Sequence, residues 1–198
     1  MAPTTADRGR EVRQRLLDTA AALIAERGWT AVSTRVLAER AGVAAGVVHY
    51  HFGSVPALLR EAALAAVRGV LDRFGPALAA AGTADELVAL LVSGLEPYDG
   101  TDPTSLLFAE TYLAATRDEA LRADLGELVT SFRRLLADRL AALRVAAPEA
   151  TAALLAATVD GVMLHRPLVP GPTPDEAATV LSRLVTGDAR RRTGKGRS

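Results

Sequence analysis

A chain of 198 residues, 49% of them hydrophobic, has room for a small unit plus one larger domain and enough apolar mass for a real core. Its 23 basic and 23 acidic side chains cancel, and the absence of cysteine excludes disulfides and Cys-based metal sites while fitting a reducing cytoplasm. The polar, Arg-bearing start is unlike a secretory signal, and the best apolar run, 152–164, is broken by Asp160 and too short to span a membrane.

Residues 1–9 read as a flexible arm. A first helix is expected over 10–27, because Val12, Leu16, Ala20, Leu23 and Ile24 recur at helical spacing and Gly28 ends the pattern as a C-terminal cap. Trp29 follows, as a core residue of the small unit. Residues 33–41 form a short helix, Ala41-Gly42-Val43 a tight turn, and 45–52 a second short helix. A third helix begins near Pro56. Two short helices joined by a Gly-containing turn are a helix-turn-helix, a motif that lays its second helix in the major groove of DNA. Leu37, Ala38, Ala41, Val43, Val48 and Phe52 fall where both helices face a common core. Val48 and Phe52, four apart, share a face. Ala45, Gly46, His49 and Tyr50 lie opposite.

The next helix runs from about 55 to 74, and on to 81 past a kink at Pro76. Its start packs through Leu58 and Leu59 on the helix-turn-helix, and its end enters the larger domain. Thr83-Ala84-Asp85-Glu86 is a capping box opening a helix to about Leu95. Asp102 before Pro103 opens another, to about Thr116. A long helix over 118–144 has Leu121, Leu125, Leu128, Phe132, Leu135, Leu136 and Leu140 on its apolar side. Pro148 opens a helix to about Arg166. Thr173-Pro174-Asp175-Glu176 opens the last, to about Val185, ahead of an exit at Thr186-Gly187 and a disordered basic tail over 188–198. The fold class is therefore all-α. The expected division is a 10–55 helix-turn-helix domain and a 56–187 larger helical domain.

Charge follows that division. Residues 1–60 carry eight Arg and five acids, a net +3, whereas 61–187 carry ten basic and seventeen acidic groups, a net −7. A basic first unit on an acidic second presents one end to phosphates.

Residues 10–60 resemble the tetracycline-repressor (TetR) family of one-component regulators. The resemblance lies in Glu26-Arg27-Gly28-Trp29, Ser33-Thr34-Arg35 with Leu37-Ala38, Ala41-Gly42-Val43, and Gly46-Val47-Val48-His49-Tyr50-His51-Phe52, followed by Ser54 and Leu58-Leu59. It implies DNA contacts from Ser33, Thr34, Arg35, Ala44, Ala45, Gly46, Val47, His49, Tyr50 and His51. The chain departs from the family pattern at Ala44, where a Ser or Thr commonly caps the recognition helix. It also departs at His49, where Tyr is common, and at Val55, where a Lys would reach a phosphate.

The resemblance also implies a homodimer, because two terminal helices per subunit form its interface. Leu154, Leu155, Thr158, Val159 and Val162 on one helix, and Leu181, Leu184 and Val185 on the other, with Val180 beside them, make the apolar stripes. It further implies a small-molecule effector inside the larger domain. The candidates are the polar or aromatic groups on otherwise apolar helices: Phe108, Glu110, Thr111, Tyr112, Asp160 and His165.

Other chemistry is sparse. His49 and His51 are two apart on a helix and point to different sides, so a zinc site has no ligand set. No nucleophile elbow, dinucleotide fingerprint or HExxH motif occurs, so no cofactor and no enzymatic activity are expected. The expectation is a cytoplasmic, operator-binding dimeric repressor released by a lipophilic small molecule. The alternative is a helical protein-binding or scaffold module that has lost DNA affinity.

Overall fold

The computed structural model describes residues 4–192, the side chains of residues 5 and 188–192 excepted. Among the described residues there are nine α-helices, one 3₁₀ turn and no strand. They pack as two compact units.

The first unit holds the described residues up to Arg68 together with Asp102–Leu125. It contains α1 (Thr5–Arg27), the 3₁₀ turn Trp29–Ala31, α2 (Thr34–Ala41), α3 (Ala45–Phe52), the first half of α4 (Val55–Ala80), α6 (Pro103–Ala115) and the start of α7 (Glu119–Ala142). α1 starts earlier than the expected residue 10. Thr4 and Asp7 make a capping box in which each side chain accepts the other's backbone N–H, at 3.1 and 2.9 Å. Bonds from the Thr4 hydroxyl and then its amide hold the Asp7 carboxyl below its usual range. The expected arm over 1–9 is thus helical from Thr5, and its first three residues lie outside the described ones.

Leu16, Leu23, Ile24, Leu37, Val48 and Leu58 fill the core of this unit, with Val43, Phe52 and Trp29 packed at its edge. All six residues expected to lock the short helices line this one core. The core also takes in Leu107 of α6, which packs along α1. The 102–125 segment therefore belongs with residues far earlier in the chain, and the compact units do not follow a cut at 55/56.

The second unit holds Gly69–Thr101 and the described residues from Gly126 on. It contains the rest of α4 and of α7, with α5 (Ala84–Ser93), α8 (Pro148–His165) and α9 (Pro174–Arg192). Leu78, Leu87, Val88, Leu136, Leu140, Ala152, Leu155 and Val185 are its core, and α5 packs on α9. α4 runs through Pro76 without ending. Arg139 donates to the Ala81 carbonyl (Nε, 2.6 Å), satisfying an acceptor beyond the end of α4. Arg166 does the same for the carbonyls of Leu95 and Tyr98.

Both expected caps are present. Thr83 accepts from Glu86 N–H at 3.1 Å, but the Glu86 carboxylate takes the N–H of Gly82 instead of closing the box on Thr83. Thr173 and Glu176 close theirs, and the Thr173 amide and hydroxyl hold the Glu176 carboxyl below its usual range. α9 corrects the expected end near Val185. It continues through Gly187 to Arg192, so the expected disordered tail is helical over 188–192, and 193–198 lie outside the described residues. Alanine and arginine are good helix formers, and a single Gly costs only about 1 kcal/mol against Ala.

Candidate nucleic-acid interface

α2 begins at Ser33, whose hydroxyl accepts from the Val36 N–H at 3.4 Å. It ends at Gly42 in the left-handed conformation, φ 66°. There the Val43 N–H reaches back to Ala38 and the Gly42 N–H to Glu39, a Schellman closure that a side chain at φ > 0 would strain. This closure sets the angle at which α3 departs. Ala44 offers α3 no side-chain cap, and the backbone tightens instead through Val47 N–H to Ala44 carbonyl at 2.9 Å.

α3 is held from behind at two points. Val48 is 0% exposed in the core. Phe52 lies beneath the Arg13 guanidinium, 4.7 Å from the ring centroid. Arg13 also donates to both Glu61 oxygens, at 2.6 and 2.7 Å, so α1, α3 and α4 meet in one clamp. A cation stacked on a ring and paired with a carboxylate is directional as well as attractive. The sequence reading missed this clamp: its members are far apart in the chain and no short motif joins them.

The outer face is open. Ala44, Ala45, Gly46, His49 and Tyr50 are exposed, Tyr50 at 85%. His51 is half-buried and meets the Tyr50 ring edge-on at 5.1 Å, which stiffens the base of that exposed side chain. His49 Nδ1–H donates to the Gly53 carbonyl at 3.1 Å, leaving Nε2 uncommitted. Val47 is half-buried against the core. At the start of α2, Ser33 and Arg35 are exposed and Thr34 is half-exposed. Arg13 and Arg40 are tied to Glu61 and Glu26, whereas Arg35 has no acidic partner among the described residues. All ten residues expected at DNA lie on α2, α3 and their caps, within the first unit.

The expected effector residues divide between the units. Phe108, Glu110, Thr111 and Tyr112 are on α6, in the first. Two of them hold local structure: Thr111 donates to the Leu107 carbonyl at 2.6 Å, and Glu110 accepts from the Trp29 N–H at 2.8 Å. Asp160 and His165 are on α8, in the second. That unit has a cavity of about 550 Å³ walled by Leu91 and Leu95 of α5, Thr158, Val159 and Val162 of α8, Val180 and Leu181 of α9, and the 166–172 connection. His165 lines it and Asp160 does not. Of its other polar groups, Arg166 and Glu176 are held by loop carbonyls and by Thr173, and Thr158 donates to Leu154.

The expected dimer stripe also divides. Leu155 and Val185 are buried in their own subunit's core, and Val159 and Leu181 pack against it. Leu154, Val180 and Leu184 remain exposed, Leu154 and Leu184 at 70% and 73%.

The family model described as "Bacterial regulatory proteins, tetR family" matches residues 16–62, the span of this helix-turn-helix. The one described as "Tetracyclin repressor-like, C-terminal domain" matches 82–187, more than half the chain. The chain belongs to the TetR family of transcriptional regulators. One TetR-type relative is the HTH-type transcriptional regulator BetI of Rhizobium meliloti (strain 1021). It is 30% identical over 194 residues, 93% of this chain and 92% of that protein. The HTH-type transcriptional repressor KstR2 of Rhodococcus jostii (strain RHA1) is 33% identical over 128 residues, 62% and 60% of the two chains.

Among solved structures, a transcriptional regulator of Streptomyces coelicolor A3(2) superimposes with a TM-score of 0.75 at 30% identity, covering 89% of this chain and 99% of that one. The multidrug binding protein EbrR, complexed with imidazole, gives 0.67 at 32% identity over 87% and 94%. These TetR-family relatives are regulators rather than enzymes. Among the described residues, no helix is long and apolar enough to cross a membrane.

Proposed function

We propose that the protein is a homodimeric, cytoplasmic repressor that grips a palindromic operator through α2 and α3 and lets go when a lipophilic small molecule binds. The observation that carries the DNA reading is the anchored recognition helix. Val48 and Phe52 fix its back, while Tyr50 stands 85% exposed in front. An exposed tyrosine on a rigid helix, beside an unpaired Arg35, is a poor feature for a solvated surface and a good one for a groove. Arg35 and Tyr50 read base edges, and Ser33, Thr34, His49 and His51 position the head on phosphates.

The second-unit cavity supports the effector reading, with His165 as its uncommitted polar group. A cavity of about 550 Å³ whose other polar groups are engaged suits an apolar ligand, and it falls within the usual range of small-molecule sites. The relative EbrR, complexed with imidazole and with malachite green, supports a small molecule as the signal. The ligand acts by binding better to a form whose two heads are wrongly spaced for the operator.

The deciding experiment is selection of bound sequences from genomic DNA with the full-length protein. An inverted repeat, bound with steep salt dependence, is the expected result. Recovery of no sequence above background would leave a helical protein-binding module as the better reading, a reading that the uncapped Ala44 favours.

A further inference from the structure

We propose that Glu110 is a positioning residue of the DNA-binding unit: its carboxylate caps the turn between α1 and α2 and so sets where the operator-facing residues stand. The inference rests on the reading of α2 and α3 as the DNA surface.

The 3₁₀ turn Trp29–Ala31 has Gly28 as its N-cap, which has no side chain to satisfy the first N–H groups. Glu110 fills that place from 81 residues away, accepting the Trp29 N–H on Oε2 at 2.8 Å. Gly28 makes the approach possible. Its φ is +81°, and a Cβ built there would meet Glu110 Oε2 at 3.3 Å. Glu110 has no basic partner among the described residues, so its charge is used on backbone N–H dipoles and not in an ion pair.

α6 is held in place for this task. Leu107, one turn before Glu110, is buried in the first unit's core, and Arg60 pairs with Asp124 at 3.9 Å across α4 and α7. The capped turn leads through Val32 and Ser33 directly into α2, so a shift of Trp29 passes within a few residues to Thr34 and Arg35. Val32 is itself buried, which makes the connection stiff.

Trp29 is the only tryptophan in the chain, so its emission reports the capped turn directly. Full-length Glu110→Ala and Glu110→Gln are compared with the parent at a temperature well below melting. Glu110→Ala is expected to change Trp29 emission and raise its quenching by acrylamide. It should also weaken operator binding about tenfold, the scale of a lost charge-assisted hydrogen bond. The plot of log affinity against log salt should become shallower, because phosphate contacts at the start of α2 are lost. Glu110→Gln, whose Oε1 still accepts, should restore most of the affinity and the emission.

A Glu110→Ala protein that melts earlier but binds operator with unchanged affinity and slope would reduce Glu110 to a structural residue and overturn the proposal. Should Glu110→Ala fail to fold, Glu110→Asp takes its place. It keeps the charge but falls one methylene short, and normal binding by it would equally overturn the proposal. If the parent binds no DNA at all, the reading of α2 and α3 fails and this positioning role fails with it. Trp29 emission then still separates the two, since it shows whether Glu110 caps the turn.

Discussion

Tyr50, Thr34 and Arg35 divide the work of DNA binding by what their side chains can reach. Tyr50 is 85% exposed and packs on nothing but the edge of His51, so truncating it removes no core contact. Tyr50→Ala should leave melting within about 0.5 kcal/mol of the parent, as surface changes do. It should relax the preference among operator variants, measured by competition between matched and mutated sites. Thr34 sits in the first turn of α2 beside the Ser33 cap, where a hydroxyl meets a phosphate. Thr34→Ala should weaken all sequences by a similar factor. If both variants shift only overall affinity, the division between reading and positioning is wrong. Ala44 gives a prediction of the opposite sign. It is exposed at the N-cap of α3, where no side chain accepts a hydrogen bond. Ala44→Ser adds that acceptor, worth about 1 kcal/mol. For a chain of this size that raises the melting temperature by about 2–4 °C. An unchanged melting curve would mean that the backbone closure at Val47 already does what a cap would do.

At the scale of elements, the sequence was readable wherever a signal is local. The bounds 45–52 of the recognition helix, the Gly42 turn, the Asp102-Pro103 start and the Thr173 capping box all rest on neighbours in the chain, and the structure has each of them. The ends that moved were local too, but the wrong signals were weighed. A Thr4–Asp7 box lay unread inside the supposed arm, and Gly187 was given more breaking power than one glycine has in an Ala- and Arg-rich helix. What was not legible is long-range. The Arg13–Phe52–Glu61 clamp joins three helices. α6 joins the first unit because Leu107 fits its core and Glu110 fits a bare turn at Gly28. Neither pairing has a periodicity or spacing to announce it. The sequence placed Glu110 among effector candidates because an acid on an apolar helix looks like a ligand contact, when its visible partner is a backbone N–H. The dimer stripe failed in a related way. Helical spacing groups Leu154 with Leu155 and Leu184 with Val185, but only packing tells which of each pair the subunit buries.

For the whole molecule, two predictions test the operator-bound dimer, one on its charge and one on its symmetry. If two heads together neutralise roughly 6–10 phosphates, operator affinity should fall by about 10³–10⁵ between 50 and 200 mM salt. A flat response would count against DNA binding of this kind. The symmetry prediction uses Leu184. It is 73% exposed, with Leu154 at 70% and Val180 also open, so three aliphatic side chains lie on the surface of α8 and α9. Each forfeits roughly 1.5–3 kcal/mol while it stays in water. A second copy of the same face would cover them, and a two-fold axis sets each near its symmetry mate. Leu184→Glu then places like charges in that seam, where loss of hydration and mutual repulsion act together. Because Leu184 is outside the subunit core, the variant should keep its helical content, unlike Val185→Glu next to it, which buries a charge at a position 8% exposed and should unfold. Light scattering at micromolar concentration should find Leu184→Glu monomeric, and its operator affinity should drop well beyond tenfold because each half-site is then held alone. A folded Leu184→Glu protein that remains dimeric and binds operator normally would put the subunit interface on another surface.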